Sequence, residues 1–125
     1  MLTDTTFWID LLEERADDEE GPTHQFMARN RTHSLRVSLI TWGELAAGVK
    51  SSRDLYDLLN RVRVLPLPLH VAWEASRIER ELSRTGARLG ENDNWIAATA
   101  RAWGLRLVSR DAAFRRVPRL RVISY

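Results

Sequence analysis

Four acidic side chains, Asp4, Glu44, Asp93 and Asp111, lie far apart in the sequence but recur at similar places in its pattern, just after a predicted strand or at a predicted helix start. Each alone has an ordinary explanation. Asp4, Asp93 and Asp111 are short acids of the kind that cap helices, and Thr41-Trp42-Gly43-Glu44 has the capping-box spacing. Together they point to other chemistry, because a cap needs only one short polar side chain and Ser, Thr or Asn serves as well. Carboxylates gathered in one cleft repel one another and raise one another's pKa unless a cation neutralises them. An all-oxygen donor set suits Mg²⁺ or Mn²⁺, and Mg²⁺ keeps waters that leave room for a phosphate and a nucleophile.

Other chemistries find less support. The chain has no cysteine, which removes disulfides, thiolate metal sites and a thiol nucleophile. His24, His33 and His70 lack metal-ligand spacing and are read as surface or loop residues. Neither a dinucleotide fingerprint nor a P-loop occurs. A phosphatase built on a strand-end aspartate expects a second Asp two residues on, where this chain has Thr6.

The elements that must position the acids alternate along the chain. MLTD, LRVSLI and LRVIS read as strands and LRLVSRD as a strand and turn, while VRVLPLP reads as an edge strand or an extended connection, because Pro66 and Pro68 cannot donate to a ladder. TTFWIDLLEER reads as a helix with Phe7, Leu11 and Leu12 on one face, and THQFMARNR, TWGELAAGV and RDLYDLLNRV as further helices. The longest runs from His70 to about Thr85 on a Val71, Ala75, Ile78, Leu82 stripe. NDNWIAATARAWG is a last helix, ended by Gly104. The run Asp17 to Glu20 before Gly21-Pro22 is a solvated loop. Alternation of this kind implies a mostly parallel sheet covered on both faces, whose ligands bind beyond the carboxyl ends of the strands.

Composition agrees with one globular domain. The 125 residues are 44% hydrophobic and 29% charged, and no apolar run approaches the roughly 18 residues needed to cross a bilayer. A soluble, cytoplasmic protein is the expectation. The net charge of +2 hides an asymmetry: residues 1 to 60 carry six basic against eleven acidic side chains, residues 61 to 125 thirteen against six. Eighteen of the nineteen basic residues are Arg, which suits bidentate phosphate contact and is compatible with a polyanionic partner. Arg110, Arg115 and Arg116 flank the expected cleft and are the candidate phosphate contacts. Arg77, Arg80, Arg84 and Arg88 recur at helical spacing near Glu74 and Glu81 and read as a salt-bridged outer face. The five tryptophans read as core or dimer-interface residues, and Asp10 as a solvated helix position.

The Asp-Thr-Thr after the first strand, the segment ITWGELAAG, the segment GENDNWIAATA and the closing SRDAAF together resemble a PIN domain of the VapC toxin type over essentially the whole chain. The resemblance implies a single PIN domain over residues 1–125, a three-layer α/β/α sandwich with a mostly parallel central sheet. It implies an Mg²⁺- or Mn²⁺-dependent endoribonuclease acting on transfer or ribosomal RNA, the toxin half of a pair whose VapB-type antitoxin blocks the site. Homodimers are usual in that family. Asp4, Asp93 and Asp111 would hold the metal, and Glu44 would orient or deprotonate the attacking water. Ser109 fits the family's hydroxyl two residues before its last Asp. Thr6 stands where the family commonly has Ser or Asn, and it keeps a hydroxyl near the metal. The alternative is a PIN-like module that only binds RNA or protein, with its acids serving as caps.

Overall fold

The computed structural model describes residues 1–125 as five strands and six helices. In chain order these are β1 (Leu2–Thr3), α1 (Thr5–Ala16), α2 (Pro22–Arg29), β2 (Arg36–Ser38), α3 (Leu39–Gly48), α4 (Ser52–Leu58), β3 (Arg63–Leu65), α5 (Leu69–Ser83), α6 (Glu91–Ala102), β4 (Leu107–Val108) and β5 (Val122–Ile123), with a 3₁₀ helix at Ala112–Arg116. The strands lie in the order β3-β2-β1-β4-β5, and every pairing is parallel. The sheet expected to be mostly parallel is wholly so, and β3 with its following prolines is an edge, as read. Strand order reverses beside β1, between the chain's first half and its last, which is where such sheets place their ligand crevice.

Two apolar layers sandwich the sheet. Val71, Ala75, Ile78 and Leu82 of α5 pack with Ile96, Ala97 and Ala100 of α6 against Leu2 and Leu107. On the opposite face Phe7, Trp8 and Leu11 of α1 pack with Phe26, Leu45 and Leu55 against Val37 and Val108. The stripe read for α5 is therefore its buried face. For α1 the stripe needs correction: Leu12 is exposed, and Trp8 is buried, its indole N–H donating to the Thr3 hydroxyl at 2.8 Å. No helix is long and apolar enough to cross a membrane.

Several element boundaries are set by polar side chains rather than by apolar pattern. LRVSLI does not continue as a strand to Ile40, because the Ser38 hydroxyl accepts from the Thr41 amide at 3.0 Å and starts α3 at Leu39. Ser is a favoured N-cap, and that bond outcompetes two further residues of ladder. The capping-box reading of Thr41–Glu44 falls with it, and Glu44 is freed for other contacts. α6 ends where Gly104 takes φ +64° and the Leu105 amide bonds back to the Ala100 carbonyl at 2.8 Å, a Schellman closure that favours Gly. Glu14 of α1 caps α2 from outside, accepting from the Thr23 amide and hydroxyl, and it fills the space a Cβ on Gly21 would need.

The α5/α6 pair, which carries Asp93, is clamped by one guanidinium. Arg101, whose side chain is only 6% exposed, donates to Glu74 at 2.5 Å and Glu81 at 2.8 Å across the helix interface. Removing Arg101 takes the buried cation from both acids and leaves Glu74 and Glu81 only the more exposed Arg77 and Arg119. Arg101→Ala is expected to cost about 2–4 kcal/mol of unfolding free energy, read by urea denaturation, and a loss under about 0.5 kcal/mol would mean the cluster is solvated in practice.

Candidate metal-dependent active site

Asp4 follows β1 and is 3% exposed. One carboxylate oxygen accepts from the Phe7 amide at 3.0 Å, which makes Asp4 the N-cap of α1; the other accepts from the Ser109 hydroxyl at 2.5 Å. Burial, with the charges of Asp93 and Asp10 adding to it, pushes its pKa up to about 6 even though both hydrogen bonds pull down. Ser109 follows β4, the strand next to β1, and its oxygen also accepts from the Asp111 amide at 3.0 Å. The ends of the two central strands are thus laced together through one hydroxyl.

Asp111 is exposed and caps the 3₁₀ helix through the Ala113 amide at 2.8 Å. Asp93 sits in the first turn of α6 but does not cap it; Gly90 holds the cap position without a side-chain bond. Its carboxyl is raised first by burial, then by the charges of Asp111 and Glu44. Glu44, half-buried in α3, is held at both oxygens, by the Thr5 hydroxyl at one and by the Asn92 side-chain amide at 2.9 Å at the other. Asp93 is thus within electrostatic reach of Asp4, Asp111 and Glu44, which follow β1, β4 and β2.

No three His, Asp or Glu side chains stand close enough together to hold a metal ion as a group. An open arrangement suits Mg²⁺, which is normally held by one or two carboxylates and completes its shell with water and substrate phosphate. The donors are all oxygen; burial raises both Asp4 and Asp93, and neighbouring carboxylates, Asp93 for the one and Asp111 with Glu44 for the other, add to it, a conflict that a hard cation would remove. The donor chemistry is that of a hard cation, with one or two carboxylates rather than a group of three within reach of it.

The remaining sequence candidates divide. Thr6 is half-buried in the first turn of α1 and bonds none of the acids; the neighbouring Thr5 makes the contact with Glu44. Arg115 and Arg116 are exposed on the 3₁₀ helix, whereas Arg110 is paired with Asp10 at 3.0 Å. Asp10 corrects the solvated reading: it is buried and also accepts from the Tyr125 hydroxyl at 2.7 Å. Thr5 and Asn92 were inside the motifs that carried the resemblance yet were given no role, since only the fold reveals that both reach Glu44. Of the outer-face arginines, Arg77 pairs with Glu74 and Arg88 with Glu79, while Arg80 lies over Trp73.

Residues 1–120 match the family model described as PIN domain. The chain is 42% identical over 93 residues to Ribonuclease VapC2 of Haemophilus influenzae, covering 68% of this chain and 70% of that protein. It is 28% identical to Ribonuclease VapC4 of Mycobacterium tuberculosis over 98% of this chain and 95% of the relative. Among solved structures, VapBC-1 from nontypeable Haemophilus influenzae superposes with a TM-score of 0.81 at 25% identity, over 98% of this chain and 96% of the other. DNA-bound VapBC from Salmonella typhimurium gives 0.79 at 25% identity with the same coverage.

The raised carboxyl of Asp4 has a stability consequence whose sign follows from linkage. A buried acid with elevated pKa contributes its stabilisation below its unfolded-state value and loses it as pH rises through about 6. Asp4→Asn, which keeps the cap acceptor, is expected to stabilise the metal-free protein at pH 7.5 by up to about 3 kcal/mol and to leave it nearly unchanged at pH 4. Melting curves in EDTA at the two pH values check this, and equal destabilisation at both would refute it.

Proposed function

The chain belongs to the PIN-domain family, and from that premise we propose that it is a VapC-type toxin, an Mg²⁺- or Mn²⁺-dependent endoribonuclease restrained by a VapB-type antitoxin. What supports the reading is the charge that Asp93 shares with the acids around it: Asp111 and Glu44 raise its carboxyl, and it raises that of Asp4. A non-catalytic module with acids serving as caps gives no reason for Asp93, which caps nothing.

In this reading Asp4, Asp93 and Asp111 hold the ion, which when bound would neutralise the acids, polarise the scissile phosphodiester and lower the pKa of a water. Glu44 is aimed by Thr5 and Asn92, so its carboxylate is preset to orient the attacking water or take its proton. Ser109 fixes the rotamer of Asp4 and so acts as a positioning residue. Arg115 and Arg116 have no acidic partner and are free to contact RNA phosphates. Substrates are of the transfer or ribosomal RNA class, cut in the cytoplasm where the antitoxin is also made.

Purified protein is expected to cut RNA with Mg²⁺ or Mn²⁺ and to stop in EDTA. Asp93→Asn and Asp4→Asn should each lower the rate by about 100-fold or more with the circular dichroism unchanged. Mn²⁺ should raise the wild-type melting temperature by several degrees and leave that of Asp4→Asn where it was. Wild-type cleavage by either variant would refute the assignment of these acids.

A further inference from the structure

All five strands run the same way, so each crossover must carry the chain from the catalytic edge of the sheet back to the opposite edge. The last crossover, residues 110 to 121, does so with five arginines, Arg110, Arg115, Arg116, Arg119 and Arg121, against the single acid Asp111. At its far end lies a cavity of about 330 Å³ whose wall contains Arg36, Arg106, Arg121 and His33 but no Asp or Glu. The three guanidiniums are brought there by backbone bonds between strand starts: Arg36 N to Met1 O, Leu2 N to Arg106 O, and Leu107 N to Arg121 O, each 2.9 Å. None of the three belongs to an ion pair, whereas Arg77, Arg88, Arg101, Arg110 and Arg119 all do. Their field is felt locally: the Met1 amine in the same wall is held below its ordinary pKa by burial and then by Arg36 and Arg106.

Like charges collected without a counter-charge are costly unless an anion answers them. We infer that the β4–β5 crossover and this cavity form one track for the RNA backbone, running from the cleavage site to the opposite edge of the sheet. The inference rests on the nuclease reading above and assigns the substrate a second contact region beyond the catalytic cleft. Guanidinium forks suit phosphate oxygens, and along the crossover Arg115 and Arg116, on the 3₁₀ helix capped by Asp111, and Arg121 at the cavity are outside any ion pair, while Arg119 between them is shared with Glu81. Met1 and Asp4 are separated by three extended residues, roughly 10 Å of chain, so one RNA strand passing the β5 edge can reach both ends. RNAs long enough to make this passage are bound more tightly than short ones.

The test is binding and cleavage by the triple variant Arg36→Gln/Arg106→Gln/Arg121→Gln. Binding of a labelled single-stranded RNA of about 30 nucleotides is measured in EDTA on an Asp93→Asn background. Kd should weaken about 10-fold or more, and the slope of log K against log salt should fall by about 2, near 0.7 for each of three lost phosphate contacts. In the catalytically intact background with Mg²⁺, kcat/KM should drop for the long RNA and stay unchanged for an oligonucleotide of about four nucleotides. Arg36 and Arg106 are half-buried, so Arg121→Glu, at an exposed position, carries the same test if the triple variant does not fold. Unchanged Kd and salt slope, with RNA cleavage by the wild type intact, overturn the track and leave the nuclease reading standing. Loss of RNA binding in the variant, with no RNA cut by the wild type, keeps the track and overturns the nuclease reading. If the variants bind RNA normally but lose an acidic protein partner, the track is wrong and the cavity is a protein contact.

Discussion

A carboxylate buried at the end of a strand needs something positive to answer it, and much of this molecule follows from how Asp4 is treated. It is almost without solvent, it accepts two hydrogen bonds, and still its acid form persists to a pH of about 6. Two donors lower the cost of its charge but do not cancel burial together with the fields of Asp93 and Asp10. The metal-free protein therefore carries a stored repulsion that a divalent cation would release. On the metal-dependent reading proposed above, the site would give up stability when empty in return for affinity when filled, the usual trade at functional centres.

Capping and chemistry turn out not to be rival explanations for the acids. Asp4 caps α1 and Asp111 caps the 3₁₀ helix, and in both the cap bond fixes the side chain's rotamer while leaving carboxylate capacity free. A carboxylate has two oxygens and several lone pairs, so one bond to a backbone amide aims it without consuming it. Ser109 extends the same economy: its hydroxyl donates to Asp4 and accepts from the Asp111 amide, joining β1 to β4 at the switch in strand order. Rigid strand ends and caps hold the proposed ligands to the narrow tolerance that metal chemistry requires.

The alternation of strands and helices was legible in the sequence, and parallel topology sends the residues that follow β1, β2 and β4 to one end of the sheet. The α5 stripe was legible too, as a period of 3.6. What escaped reading depends on side-chain reach across elements. Glu44 reads locally as part of a capping box, and only the Ser38 cap one turn earlier frees it to meet Thr5 and Asn92. Asp10 reads as a surface helix position until Tyr125, 115 residues away, folds over it. The Trp8 and Leu12 exchange on α1 is of the same sort: the helix period allows either, and the Thr3 hydroxyl that receives the indole N–H decides.

A parallel sheet also sorts charge along its own axis. β2 and β3 begin with Arg36 and Arg63, and β4 and β5 are preceded by Arg106 and Arg121. Their far ends, by contrast, lead into Asp4, Ser38 and Ser109. Strands of two or three residues put these opposite groups within roughly 10 Å of one another through the sheet. An antiparallel sheet with the same residues would alternate them edge by edge and lose the separation. Short parallel strands thus produce one edge that calls for a cation and another that calls for an anion, and on the nuclease reading proposed above an RNA bound with a metal ion would supply both. The excess of arginine in the second half of the chain is the sequence trace of that polarity, because three of the last four basic positions line the return path and the fourth, Arg121, ends it.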